Sequence, residues 1–171
     1  MNYLAYGSNL CTARLHARIP SARLLTTACL RGVKLCFHKV SQDGSGKCDI
    51  IPSSHENACV HGVIFQITAN DKTVLDQIEG LGAGYEISSI TVIGPDGQSV
   101  ETFAYTATVT DPELKPYSWY LDFVLAGARE HRFPCDYITA LKAIETIKDT
   151  NLERVRQNRE ILNSASANSE Q

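Results

Sequence analysis

No run of about 18 apolar residues occurs in the chain, and no basic segment leads into an apolar one at its start, which argues against a membrane span and a secretory leader. A cytoplasmic location is the expectation. Charge of one sign is also scarce: 16 Lys and Arg stand against 19 Asp and Glu, a net charge of −3, too little positive charge to suit a nucleic-acid backbone. Missing as well are a Cys-x-x-Cys pair, a complete phosphate-binding loop and a Gly-x-Ser-x-Gly elbow. These absences turn attention from metals, nucleotides and covalent hydrolysis toward a small neutral or zwitterionic ligand.

The 6 cysteines (Cys11, Cys29, Cys36, Cys48, Cys59 and Cys135) read as reduced thiols, mostly small core residues, because a secretory context is lacking. Cys48, His55, Cys59 and His61 lie close in sequence but match no common zinc spacing, so no metal is expected. Asp43-Gly44-Ser45-Gly46-Lys47 resembles the tail of a phosphate loop, yet the first Gly is absent and Cys48 stands where Ser or Thr should bind magnesium. It reads as a hairpin or flexible loop, and no cofactor is expected.

A chain of 171 residues suits one domain, expected over 1–163 with a polar tail over 164–171. The pattern predicts a strand in the apolar run that starts at Tyr3 and stops in Gly7-Ser8-Asn9, a helix at Thr12–Ile19, and two strands within Ala22–Lys39 turning at Arg31-Gly32. An apolar stretch at Asp49–Ser53 and a strand at His61–Ile67 follow, all expected to pair into one sheet. Asn70 or Asp71 can cap a helix with Val74, Leu75, Ile78 and Leu81 on one side, ended by Gly80 and Gly82. Tyr85–Ile93 and Ser99–Thr108 form a hairpin around Gly94-Pro95-Asp96-Gly97. Helices are then expected at Tyr117–His131, Cys135–Ile147 and Asn151–Leu162, with Trp119 and Phe123 as core. This is an α+β domain: a mixed, mainly antiparallel sheet curled toward a small barrel, with flanking helices.

Two places could carry chemistry. The run Tyr3-Leu4-Ala5-Tyr6-Gly7-Ser8-Asn9-Leu10 passes from strand to helix through a tight turn, and its unpaired N–H groups can cradle a carboxylate or an oxyanion. Glu79 lies in the last turn of its predicted helix, where the dipole opposes a negative charge by about 0.3–1 kcal/mol. Beside an apolar stripe, partial burial acts in the same direction and suits a proton carrier.

Tyr6-Gly7-Ser8-Asn9, Glu79-Gly80 followed by Tyr85, and Gly127-Ala128-Arg129-Glu130 with Pro134 and Tyr137 through Glu145 together resemble the γ-glutamylcyclotransferase family. The resemblance spans about residues 3–147. It implies a cyclotransferase barrel, a glutamyl-binding loop at Tyr6, Gly7, Ser8, Asn9 and Leu10, Glu79 as general acid/base, and Tyr85 and Tyr120 near the cavity. The implied reaction converts a γ-glutamyl amino acid or peptide to 5-oxoproline and a free amine. Its partner is a small γ-glutamyl substrate, with neither nucleic acid nor membrane; homodimerisation stays open. Rival readings are a related cyclotransferase for γ-glutamyl amines, glutathione or a protein-bound γ-glutamyl group, a non-catalytic glutamyl-binding module, and a serine hydrolase using Ser8. The last lacks an Asp-x-x-His partner pair. His61 and His131 have no fixed partner in sequence and receive no role.

Overall fold

The computed structural model describes residues 1–168. Strand β1 (Asn2–Ala5) runs through a 3-10 turn at Ser8–Leu10 into helix α1 (Thr12–Arg18). Strands β2 (Arg23–Arg31), β3 (Val33–Val40), β4 (Gly46–Pro52) and β5 (Cys59–Gln66) precede helix α2 (Ala69–Glu79). The hairpin β6 (Tyr85–Ile93) and β7 (Ser99–Ala107) leads to helices α3 (Ser118–Glu130), α4 (Cys135–Lys142) and α5 (Leu152–Asn168).

Five strands close into a barrel in the order β1-β5-β2-β6-β7, and β7 returns to β1 through a parallel pairing of Tyr3 with Phe103. The expected α+β barrel with flanking helices is therefore the observed fold, but the single sheet is not. β2 gives one edge to β5 and the other to β6, so β3 finds no free edge despite the tight turn at Gly32. It pairs with β4 as a separate two-stranded ribbon. A closed barrel leaves no unpaired edge within the sheet, which removes the usual route to edge-to-edge association. Both faces of the barrel strands enter the core, since Leu4 pairs with Ile64 while Tyr3 pairs with Phe65: Leu4, Val60, Val63, Ile64, Phe65, Val92 and Ala104 are all at most 1% exposed.

Some local expectations shift. Thr68, not Asn70 or Asp71, caps α2: its Oγ1 accepts from Asp71 N at 3.1 Å while Asp71 Oδ2 accepts from Thr68 N at 2.9 Å, a reciprocal capping box. Helix α4 ends at Lys142 because Ile147 leaves it to bridge Tyr117. Cys29 and Cys59 are joined as a disulfide rather than held as thiols; adjacent antiparallel strands bring their Cα atoms to 6.0 Å, which a sequence separation of 30 hides. Helix α5 runs on past Leu162, and of the tail expected over 164–171, residues 169–171 lie outside the described residues.

Asp149 anchors α5. Its buried carboxylate accepts from Arg154 Nε and Nη2 at 2.5 and 2.6 Å, from Asn151 N at 2.9 Å and from Trp119 Nε1 at 2.8 Å. The Arg154 hydrogen bonds in particular hold its pKa down to about 2. A carboxylate depressed on folding stabilises above its unfolded value near 4 and loses that stabilisation as pH falls toward 2. Between pH 5 and 2 the wild-type Tm should fall by an extra amount equivalent to about 2 kcal/mol relative to Asp149→Asn. Parallel Tm curves for the two proteins in this range would contradict that assignment.

Candidate active site

Helix α2 faces the barrel with the side opposite to its apolar one. Val74, Ile78 and Leu81 are 39–45% exposed, whereas Asp71 and Leu75 are buried and Lys72, Asp76 and Glu79 half-buried. Residues 71, 72, 75, 76 and 79 share one face at helical spacing. The expected apolar stripe is therefore corrected to a largely polar one, and that stripe delivers Glu79 inward at the helix end. Gly80 supplies the left-handed turn, φ 71°, that stops the helix directly after it.

Glu79 borders a cleft of about 320 Å³, a volume that includes its opening to solvent, lined by Tyr3, Tyr6, Gly7, Ser8, Asn9, Cys48, Glu79, Tyr85, Tyr105 and Tyr120. The geometry gathers six of the loop and tyrosine positions singled out by sequence together with Glu79. Leu10 is the exception. Its side chain is fully buried behind the turn, its N–H donates to Gly7 O at 3.0 Å, and its carbonyl accepts from His131 Nε2 at 2.9 Å. The N–H groups of Ser8 and Asn9, by contrast, have no acceptor among the described residues. Being the first groups of a helical turn, they face outward unpaired, as a bound anion requires.

Sequence reasoning missed the cation that holds Glu79. Arg18 Nη1 donates to Glu79 Oε1 and to Asn9 Oδ1, both at 2.9 Å. Asn9 Nδ2 donates in turn to Glu79 Oε1 at 3.1 Å and to the Tyr3 hydroxyl at 2.9 Å. Arg18, Asn9 and Glu79 thus form a closed ring of charge-assisted hydrogen bonds that fixes the carboxylate beside the loop. The signal was present as Arg14 and Arg18, one helical turn apart in α1. Tyr3, Cys48 and Tyr105 were missed too, because they come from three different strands.

The remaining groups are neutral. The Tyr85 hydroxyl donates to Cys48 O at 2.7 Å, the Tyr105 hydroxyl to Asp76 Oδ1 at 2.7 Å, and the Tyr6 hydroxyl to Tyr105 O. Tyr120 accepts from Cys48 N at 3.1 Å, and its hydroxyl also hydrogen-bonds the Cys48 side chain. Burial drives all five tyrosine hydroxyls above their ordinary pKa and pushes the Cys48 thiol up to about 12. Cys48 is then a thiol at neutral pH and no nucleophile. Ser8 Oγ accepts from Arg14 Nε at 3.1 Å, and a guanidinium cannot take its proton. Glu79 is the one carboxylate among the lining residues. Cys48, His55, Cys59 and His61 do not converge: Cys59 is bonded to Cys29, and no group of three or more potential metal ligands occurs among the described residues.

Residues 59–141 match the model of the AIG2-like family. The chain is 34% identical over 148 residues to the γ-glutamylcyclotransferases of Homo sapiens and of Mus musculus, covering 84% of this chain and 78% of each relative. A solved structure titled γ-glutamyl cyclotransferase superposes with a TM-score of 0.84 at 29% identity, covering 96% of this chain and 98% of that one. The family-model match takes in α2 and α3 but not the turn after β1.

Two expectations belong to this geometry. A fluorophosphonate should leave Ser8 unlabelled by intact mass, since the side chain hydrogen-bonded to its Oγ is a guanidinium and not a base; an adduct would revive the hydrolase reading. Gly127 lies against the turn so closely that a Cβ there would come 2.3 Å from Leu10 C and 2.5 Å from Cys11 N. Gly127→Ala should therefore lower the denaturation free energy by about 1–3 kcal/mol or more, because backbone cannot yield as a flexible side chain can. Unchanged stability in urea would show that the contact is looser than drawn.

Proposed function

The chain belongs to the γ-glutamylcyclotransferase family, an enzyme family, and from that premise we propose that it converts γ-glutamyl amino acids and peptides to 5-oxoproline with Glu79 as its general acid/base. The observation that carries the assignment of Glu79 is its position as the one carboxylate lining the cleft, fixed by Arg18 and Asn9 beside the unpartnered N–H groups of Ser8 and Asn9.

The chemistry asks little of the protein because the substrate brings its own nucleophile. The α-nitrogen attacks the γ-carbonyl carbon, a C–N bond forms to close a five-membered ring, and the carbonyl oxygen becomes an oxyanion. The oxyanion then re-forms its double bond as the original C–N bond breaks and the amine departs. Protons lost by the α-nitrogen are regained by the leaving nitrogen, and Glu79 ferries them between the two, so the enzyme ends as it began. Free N–H groups of the turn stabilise negative oxygen in a partly closed site. The tyrosine walls hold the substrate folded on itself, the conformer that ring closure needs.

Glu79→Gln keeps the shape and removes the proton carrier, so release of 5-oxoproline from γ-glutamyl-alanine should fall by about 10²–10⁴-fold while the protein stays folded. Retention of more than a tenth of the wild-type rate would refute this role. Wild-type protein should release 5-oxoproline and no glutamate, and should leave N-acetyl-γ-glutamyl-alanine untouched; mass spectrometry distinguishes these outcomes. Glutathione and γ-glutamyl-lysine assayed beside it separate the dipeptide enzyme from related cyclotransferases.

A further inference from the structure

Behind the turn lies a buried cation with no carboxylate partner among the described residues. Arg14 is 8% exposed, with its guanidinium 4.2 Å from the Phe123 ring centroid and 5.6 Å from that of Trp119. Its polar contacts are neutral: Nε donates to Ser8 Oγ at 3.1 Å and Nη1 to Asn158 Oδ1 at 2.8 Å. Burial, with Arg18 nearby, pulls its pKa down to about 9, which leaves it charged at pH 7. Buried charges are ordinarily paired, so a guanidinium without an anion is incomplete.

Ser8 is incomplete in the complementary sense. Its Oγ accepts from Arg14, which directs its own proton away from the guanidinium, and that proton has no acceptor among the described residues although Ser8 is only 6% exposed. Ser8 lines the cleft, next to the unpartnered N–H groups. The missing group is one that accepts a hydrogen bond and carries negative charge.

We propose that Arg14 is a positioning residue for the cyclisation, orienting and polarising the Ser8 hydroxyl so that it donates to a substrate oxygen anion held on the turn, with helix α5 holding Arg14 in register through Asn158. This rests on the proposed function, which supplies the anion: either the substrate α-carboxylate or the oxyanion of the tetrahedral intermediate. Asn158 is itself fixed by donating from Nδ2 to Arg154 O at 2.7 Å, and Arg154 is tied to Asp149. The C-terminal helix, remote from the cleft lining, is thereby joined to the site by one continuous set of hydrogen bonds.

The test is a double-mutant cycle on γ-glutamyl-alanine turnover with Arg14→Met, Ser8→Ala and both together, each with a Tm. Either single change should lower kcat/KM by about tenfold, the scale of one charge-assisted hydrogen bond, and the double variant should be within about twofold of the singles. Both singles should move the same parameter: KM if the anion is the α-carboxylate, kcat if it is the oxyanion. Multiplying effects, or one variant altering KM and the other kcat, would overturn the proposal, as would a loss of Tm with unchanged kcat/KM. If Arg14→Met does not fold, Asn158→Leu serves in its place; it should lower kcat/KM in the wild-type background and not in Ser8→Ala, and an equal loss in both backgrounds would overturn the proposal. Wild-type protein inert toward γ-glutamyl-alanine would overturn the functional reading and this inference together, whereas active wild type with additive variants overturns the inference alone.

Discussion

The contact between α3 and the turn after β1 is the constraint on which the site depends. A helix can lie with its axis this close to a neighbouring backbone only where it carries no side chain, and Gly127 provides that gap against Leu10 and Cys11. From this contact the other placements follow. Tyr120, two turns earlier on the same helix, reaches the cleft and meets Cys48 of the β3–β4 ribbon; His131, just past its end, caps the Leu10 carbonyl. The turn is therefore braced from behind by one helix and keeps its free N–H groups on the opposite side.

A second ordering principle is the inversion of α2. Most surface helices bury apolar residues, but here Val74 and Ile78 stay outside while Asp76 and Glu79 turn toward the barrel. These two carboxylates each have a cation and a neutral donor, Lys72 and Tyr105 for Asp76, Arg18 and Asn9 for Glu79, while Asp71 is held by Ser21 and Thr68. Such pairing makes inward-facing charge tolerable. It also shows why the helix is fixed at both ends, by the Thr68 capping box and by Gly80: a slip of one residue would replace Glu79 in the cleft by Ile78 or Gly80.

Much of this was legible in the sequence where the information is local. The strand–turn–helix at the start, the β6–β7 hairpin and the Glu79-Gly80 helix end all depend on neighbours a few residues apart, and all formed where expected. Pairings between distant segments were not legible. The split of β3 and β4 from the barrel depends on β2 being used on both edges, the Cys29–Cys59 link on the β2–β5 register, and the exclusion of Leu10 from the cleft on the packing of α3. Arg18 escaped notice for the same reason: its partner is 61 residues away, and an arginine on a short helix looks like surface until the barrel folds α2 beside it.

Trp119 is the only tryptophan in the chain, and it occupies an unusual crossing point. Its ring has the Arg14 guanidinium 5.6 Å away and the Lys47 ammonium 5.1 Å away, while its indole N–H is bonded to Asp149. Indole emission responds to nearby charge, so the molecule carries a built-in optical gauge, read without a label, of the electric field between the turn after β1, the ribbon and the C-terminal helix.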